Sequence, residues 1–430
     1  MTEPPPPATA TAGSTATDTP RQEVPRGYIR GLFAVNFGVF LAATTPVAVT
    51  LAFKIEHISA SPEEATTNLA LVLAVGAIFG LVANPVAGRL SDRTTSKWGM
   101  RRPWILGGMV IGLAGLFVVG IATSVWVVLV AWCVVQAATN ATMAAASATV
   151  PDQVPPSRFG SAAGIVGVAT PVGVLAGFGI VNFLADDVLR FVVPALIATA
   201  LTVWFVIGLK DRVLTEKPTQ RFTLVQFLGS FVFNPVKHPD FAWTWLAQFL
   251  IMFGYGGIAS YLPYYLTAEF GFDEQGATTT VLIVNAVSTA MMMISSLVGG
   301  HLSDKLGKRR PFVAIAGGFI AVGLVSLALA PDVVTVVVSQ AVIGVGAGLF
   351  FSVSLALATE VLPDTGEAAK DLGVLSAAAS LPQSVAPAIA PAIIAFGAAT
   401  SLGGFTAYYL FGAILALAAA GIIYRVKGVK

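Results

Sequence analysis

The 430-residue sequence predicts an all-α membrane protein with twelve transmembrane helices in two related sets of six. Three observations predict it. Hydrophobic residues make up 56% of the chain and charged residues only 11%, whereas a soluble domain carries about 25% charged residues. Basic residues gather on alternate connections between the apolar runs. The chain also repeats itself weakly at an offset of 212 residues, Gly88 onto Gly300.

The mean hydropathy of +0.82 means that most side chains never meet water. A helix needs roughly 20 apolar residues to cross a bilayer core. Only helices and closed barrels satisfy their backbone there. The runs are long and continuous, unlike the short alternating segments of a barrel.

The segment 1–26 is rich in Pro, Thr and Ala and lacks the apolar core of a signal peptide. It reads as a disordered tail. The first set of spans, within 27–209, is expected near Gly31–Phe53, Leu69–Ala87, Trp104–Ala122, Val125–Val150, Ala162–Leu184 and Phe191–Leu209. A linker, 210–240, joins the sets. The second set, within 241–424, is expected near Phe241–Leu266, Thr278–Gly299, Phe312–Ala330, Val333–Leu357, Val374–Phe396 and Phe405–Tyr424, before a short tail, 425–430. Pro46, Pro171, Pro263, Pro382 and Pro387 interrupt spans and are expected to kink them. Trp126, Tyr408 and Tyr409 are expected in the interfacial aromatic belt.

Orientation follows from Lys and Arg. With both termini in the cytoplasm, 22 of the 24 basic residues fall inside, and only Lys54 and Arg190 fall outside. The bias supports an even number of spans and fits a multi-pass protein of the cell membrane. The net charge of +2 gives no reason to expect nucleic acid as a partner. The lone Cys133 and the scattered His57, His238 and His301 offer no metal site. No glycine-rich piece follows a strand or ends in GK[ST], so no nucleotide site or cofactor is expected.

The repeat is sharpest in two connections. GRLSD, Gly88–Asp92, matches GHLSD, Gly300–Asp304, and each leads to an Arg-Arg-Pro run, Arg101–Pro103 and Arg309–Pro311. Pro151–Asp152 matches Pro363–Asp364, and Arg158 matches Lys370. Pro103 and Pro311 suit the first turn of a helix.

These residues resemble a family. GRLSDRTTSKWGMRRP is similar to the signature of the major facilitator superfamily, found after span 2, and GHLSDKLGKRRP to its copy after span 8. A closer likeness is to the branch of plant sucrose transporters and glycoside–pentoside–hexuronide symporters. It is carried by SDR, SKWG and RRP in the first connection, ATVPDQVPPSRFGSAAG after span 4, and Leu381–Pro382–Gln383 in span 11. The resemblance implies a secondary transporter whose halves rock about a central cavity. It also implies a cytoplasmic gate, in which Asp92 faces the start of span 11 around Gly373 and Asp304 faces the start of span 5 around Gly160. The expected gate set is Asp92, Arg93, Arg101, Arg102, Asp152, Arg158, Asp304, Arg309, Arg310, Asp364 and Lys370.

No Lys, Arg, Asp or Glu lies deep in a span, although such groups mark proton and ion pathways. The span-4 positions that carry an acid and an arginine in the sucrose pattern hold Gln136 and Ser147. Glu56 and Glu360 lie nearest the spans. Uncharged polar groups remain, and they should face the bundle interior. The candidate solute site is Asn36, Trp132, Gln136, Asn140, Gln248, Tyr255, Asn285, Gln340 and Gln383; amides and a phenol suit a polar uncharged solute such as a sugar. Each could instead serve helix packing. The expected partners are a small-molecule substrate and the lipid bilayer, with the chain acting as a monomer. A drug or metabolite exporter is the alternative, although Ala169, Thr170 and Pro171 poorly match the exporter hallmark of span 5. A non-transporting sensor is a further one. An enzyme is not expected.

Overall fold

The computed structural model describes residues 23–155, 158–214, 235, 237–256, 258–361 and 368–427; side chains at 159–163, 258, 259, 304, 355, 356, 358–360, 368–373, 376, 383 and 384 lie outside the described part. The expected tail up to residue 22, most of the linker, and Asp364 therefore fall outside it. So do the side chains of Asp304, Glu360, Lys370 and Gln383.

Among the described residues twelve helical elements follow one another: α1 (Tyr28–Ile58), α2 (Pro62–Ser91), α3 (Arg102–Ile121), α4 (Val125–Gln153), α5 (Phe159–Asn182), α6 (Asp187–Gly208), α7 in two pieces, α7a (Pro239–Gly256) and α7b (Ile258–Phe270), α8 (Glu274–Leu306), α9 (Arg310–Ala328), α10 (Val333–Glu360), α11 (Ala368–Ala398) and α12 (Gly404–Ile422). Eleven are each long and apolar enough to cross a bilayer, and the two pieces of α7 form a twelfth, bent by 43°. Local signals start them where expected. Ser61 accepts a hydrogen bond from the Glu64 amide at the head of α2, and Glu64 accepts one from the Ala60 amide. This reciprocal capping satisfies two otherwise orphaned donors. Asp186 caps α6 through the Leu189 amide. Pro103 and Pro311 sit in the first turns of α3 and α9.

The two sets of six pack alike. Within the first, α1 packs on α5 and α6, α2 on α4, and α3 on α4 and α6; within the second, α7 packs on α11 and α12, α8 on α10, and α9 on α10 and α12. The interior is lined by residues such as Trp132, Phe178, Phe191, Tyr261 and Phe350, all essentially inaccessible. The outer face carries Phe79, Leu196, Ile207, Leu297 and Val322 in the open. Such a surface would drive a soluble protein to aggregate; here it is the face that lipid covers.

α1 and α7 are interrupted at equivalent places. A π-helical turn, Pro46–Thr50, interrupts α1, and α7 bends by 43° between Pro239–Gly256 and Ser260–Phe270, beside Ile258, the repeat equivalent of Pro46. The second set's first span was expected to be continuous and to kink at Pro263. It bends instead between Gly256 and Ser260, while Pro263 lies inside α7b. Tyr408 and Tyr409 correct a second expectation. They are buried one turn inside α12, not held in an interfacial belt. Their rings pack on Tyr261 and Tyr265, at centroid separations of 5.8 and 5.1 Å. Trp126 is 68% exposed at the start of α4, as a belt residue should be.

The end of the bundle where α1 begins and α12 finishes is called the terminal end below, and the opposite end the far end.

Candidate functional site

At mid-span the candidate solute residues divide into acceptors and packing groups. Asn36, Asn140 and Asn285 each donate their amide N–H to the carbonyl one turn back on their own helix: Leu32 at 2.8 Å, Gln136 at 2.9 Å and Val281 at 2.8 Å. The bond fixes each side chain and leaves its carbonyl oxygen as an acceptor. The Oδ1 atom of Asn36 is buried with no partner among the described residues, a costly state that a hydroxylated ligand would relieve. Gln136 and Asn140 are half-buried, and Asn285 likewise.

The Trp132, Gln136 and Asn140 face lies against α2. A Cβ at Gly76 would come within 2.4 Å of the Trp132 ring, so only glycine fits there. Trp132 is fully buried, with its Nε1 unpartnered among the described residues. Its main local role is therefore to fill the α2–α4 interface. Gln248 reaches the Leu375 carbonyl of α11 at 3.5 Å, at the limit of a hydrogen bond. Half-buried Tyr255 meets Phe351 edge to face at 6.2 Å, and Gln340 is buried in α10.

At the terminal end Arg101 is the hub. Its guanidinium meets Asp92 at 2.5 Å, Asp152 at 3.2 Å and the Ser91 hydroxyl at 2.6 Å. Asp211, arriving from the linker, accepts the backbone N–H groups of Arg101 and Arg102 at 2.7 and 2.8 Å and so caps α3. Arg102 donates to the Leu209 carbonyl. The second set repeats this: Arg309 donates to the Ser303 hydroxyl at 3.0 Å, and Arg310 to the Lys427 carbonyl at 2.7 Å. In this conformation Asp92 is half-exposed and its described partner is Arg101 of its own set. The α11 side chains expected opposite it lie outside the described part. Arg93 is half-buried in the same connection and Arg158 is exposed at the head of α5.

The far end is the seam that the sequence did not reveal. Lys54 and Arg190, the two basic residues outside the general bias, are both buried there. Lys54 donates to the Gly120 carbonyl at 2.7 Å and lies 3.6 Å from Asp187. Arg190 pairs with Glu274 of α8, across the halves. Between them His57 places Nδ1 3.2 Å from Asp187 and Nε2 3.2 Å from Glu274. Gln275 and Thr279 of α8 donate to Asn182 of α5, at 2.8 Å to its backbone carbonyl and 2.7 Å to its Oδ1. Tyr264 donates to the Ala52 carbonyl at 2.7 Å, and Tyr261 to the Pro387 carbonyl at 3.0 Å. Ala52 and Tyr264 are repeat equivalents, 212 residues apart, so their contact lies on the pseudo-two-fold axis. Beside it Glu56, Glu63, Thr66, Tyr264 and Thr267 line a cavity of about 490 Å³ between the halves. A larger groove of about 970 Å³, lined by Phe79, Trp104, Ile111, Val130 and Cys133, opens on the lipid-facing side and takes no part in this site.

Comparison with known proteins bears on the family and the fold. The family model described as "Major Facilitator Superfamily" matches residues 31–324 and 244–429. The multi-drug resistance efflux pump PmrA of Streptococcus pneumoniae is 27% identical over 344 residues, 77% of this chain and 81% of the pump. The sucrose transport protein SUT1 of Oryza sativa is 46% identical, but over 50 residues only, 12% of this chain and 9% of that one. An uncharacterized symporter of Synechocystis is 56% identical over 39 residues, 9% of this chain and 7% of the symporter. Likeness to the sucrose branch thus rests on short stretches. Among solved structures, the nucleoside transporter NupG superposes with a TM-score of 0.74 over 93% of this chain and 99% of that one, at 14% identity, which speaks to the fold alone.

Proposed function

The chain belongs to the Major Facilitator Superfamily, and on that premise we propose that this transporter carries a small, polar, uncharged organic solute, a sugar or glycoside before others. The observation that carries the proposal is chemical: the candidate groups at mid-span are uncharged, chiefly amides with a phenol and an indole. Asn36, Asn140 and Asn285 offer pre-oriented carbonyl oxygens, and hydroxyl donors of a sugar would match them. Trp132, Gln136, Gln248, Tyr255, Gln340 and Gln383 complete the proposed cavity.

The working units are the six-helix sets 27–209 and 241–424, joined by 210–240. The basic bias places the termini and the linker in the cytoplasm, in the cell membrane. With its far end closed, the molecule then has its outward side shut. Asp92, Arg101, Asp152 and Asp304 with their neighbours form the gate that closes the cytoplasmic side in the alternate state. The absence of a mid-span carboxylate or histidine among the described residues favours a facilitator over a proton symporter. The carrier acts as a monomer and engages no nucleic acid.

Drug export is the second reading, supported by the pump-like relative that matches over three-quarters of the chain. Uptake of a labelled sugar panel into proteoliposomes, with and without a pH gradient at zero membrane potential, separates the readings. Saturable sugar equilibration is expected. Extrusion of lipophilic cations with no sugar flux would overturn the sugar reading, and accumulation abolished by a protonophore would overturn the facilitator.

A further inference from the structure

The far-end seam holds its one histidine in an unusual position. Each ring nitrogen of His57 faces a carboxylate oxygen, Asp187 Oδ2 on one side and Glu274 Oε2 on the other, both at 3.2 Å. A neutral imidazole has one N–H and can satisfy only one of these acceptors; its bare nitrogen would face the other's lone pairs. The imidazolium donates to both. Asp187 belongs to α6 of the first half, and Glu274 to α8 of the second. The doubly protonated ring is therefore a clasp across the line along which the halves must part.

We propose that His57, Asp187 and Glu274 form a proton-binding site of the closed far end, so that acid on that side holds the end shut. The proposal rests on the alternating-access reading above. Lys54 lies on Asp187 and Arg190 on Glu274, so each carboxylate already has one cation. Glu56, one residue before His57, adds a further carboxylate, and Asp186 and Asp273 cap the neighbouring helices α6 and α8. Against Lys54 and Arg190 the acids are in excess, and His57 supplies the missing positive charge when protonated.

The sign of the linkage follows. Opening the far end carries Glu274 away from His57. The closed state then binds the proton more tightly than the open one, and lowering pH draws the equilibrium toward closure. His57 keeps 47% of its side chain exposed even with the seam closed. Its proton exchanges with the far-side solution in both states and never crosses the membrane. The site regulates the carrier and couples nothing to it.

The test needs no substrate. Spin labels at Ala60→Cys and Ser401→Cys, exposed far-end positions in opposite halves, report the gap in nanodiscs when placed in a Cys133→Ala background. Between about pH 8 and pH 5.5 the closed-to-open ratio should rise by roughly threefold or more. His57→Gln, which keeps a polar group but cannot take up the proton, should abolish that rise. Glu274→Gln should lower the closed population at every pH and flatten its pH dependence. An unchanged pH response in His57→Gln, or none in the parent protein, would overturn the site. Two distances indifferent to pH would leave alternating access standing, whereas a single distance under all conditions would remove both.

Discussion

The connection after α2 and the connection after α8 use the same bonds and finish them differently. In each, a buried serine receives an arginine, Ser91 from Arg101 and Ser303 from Arg309. In each, the next arginine ties the helix start to the chain leaving the sixth helix of its set, at Leu209 and at Lys427. The first connection then adds four residues, and Asp211 closes over its helix end. The far end carries no such repetition: the equivalents of Lys54, Asp187 and Arg190 are Leu266, Ala399 and Leu402. Duplication has preserved the terminal-end connections, while the seam at the other end has been specialised in one half only.

The sharpest way to break this comparison is at its glycines. Gly99 has φ +108°, and a Cβ there would sit 2.2 Å from the Asp211 carboxylate; Gly307 has φ +59° and open space around it. Gly99→Ala should cost about 2–5 kcal/mol of stability, strain and overpacking together, and Gly307→Ala only about 1–2 kcal/mol. Thermal unfolding in detergent compares them, and equal losses would mean that Asp211 is not the tight closure described.

The shared bond comes next. Ser91→Ala and Ser303→Ala each strip a buried hydroxyl from a guanidinium. Each should lose about 1.5–3 kcal/mol, equally within error. A silent Ser303→Ala would show that the copy is formal. At the pseudo-two-fold axis, Tyr264→Phe removes one cross-half hydrogen bond. It should shift the far-end distance distribution toward open by about fivefold, the equivalent of about 1 kcal/mol. The smallest effect is expected at Asp92→Asn. The carboxylate is half-exposed, so its pair with Arg101 should be worth at most about 1 kcal/mol. Transport should fall roughly two- to fivefold at normal expression, and Asp304→Asn should act in the same direction but less. Wild-type rates in both variants would leave the two connections as anchors alone.

The spans were legible because hydropathy acts over twenty residues and tolerates local exceptions. The Arg-Arg-Pro starts could be read from repetition and Asn36 from its place within a span, whereas the serines that receive the arginines, Ser91 and Ser303, carried no signal of their own. The far-end seam could not. Lys54, His57, Asp187, Arg190 and Glu274 are spread over 220 residues of chain, with no motif joining them. The one available signal was negative: Lys54 and Arg190 violate the charge bias, and a basic residue on the wrong side of a membrane needs a reason. The α7 bend was expected at Pro263 because proline is the strongest helix breaker, whereas the described pieces part before it, between Gly256 and Ser260. Tyr408 and Tyr409 were misplaced because a span-end tyrosine looks the same in sequence whether it meets lipid headgroups or other tyrosines.

Those tyrosines bear on electrical insulation. A carrier closed at one end must stop ions as well as solute, and a potential of about 100 mV drives each unit charge with about 2.3 kcal/mol. Tyr261, Tyr265, Tyr408 and Tyr409 pack edge to face or tilted, with centroids 5.1–5.8 Å apart. The hydroxyls of Tyr261 and Tyr265 are spent on the Pro387 and Leu327 carbonyls. Those of Tyr408 and Tyr409 are sealed from solvent. Such a plug offers water no continuous file of hydrogen-bonding groups along which a proton could hop. The second half thus adds a dielectric barrier to the closed end, and thinning it should appear first as a current carried without any solute.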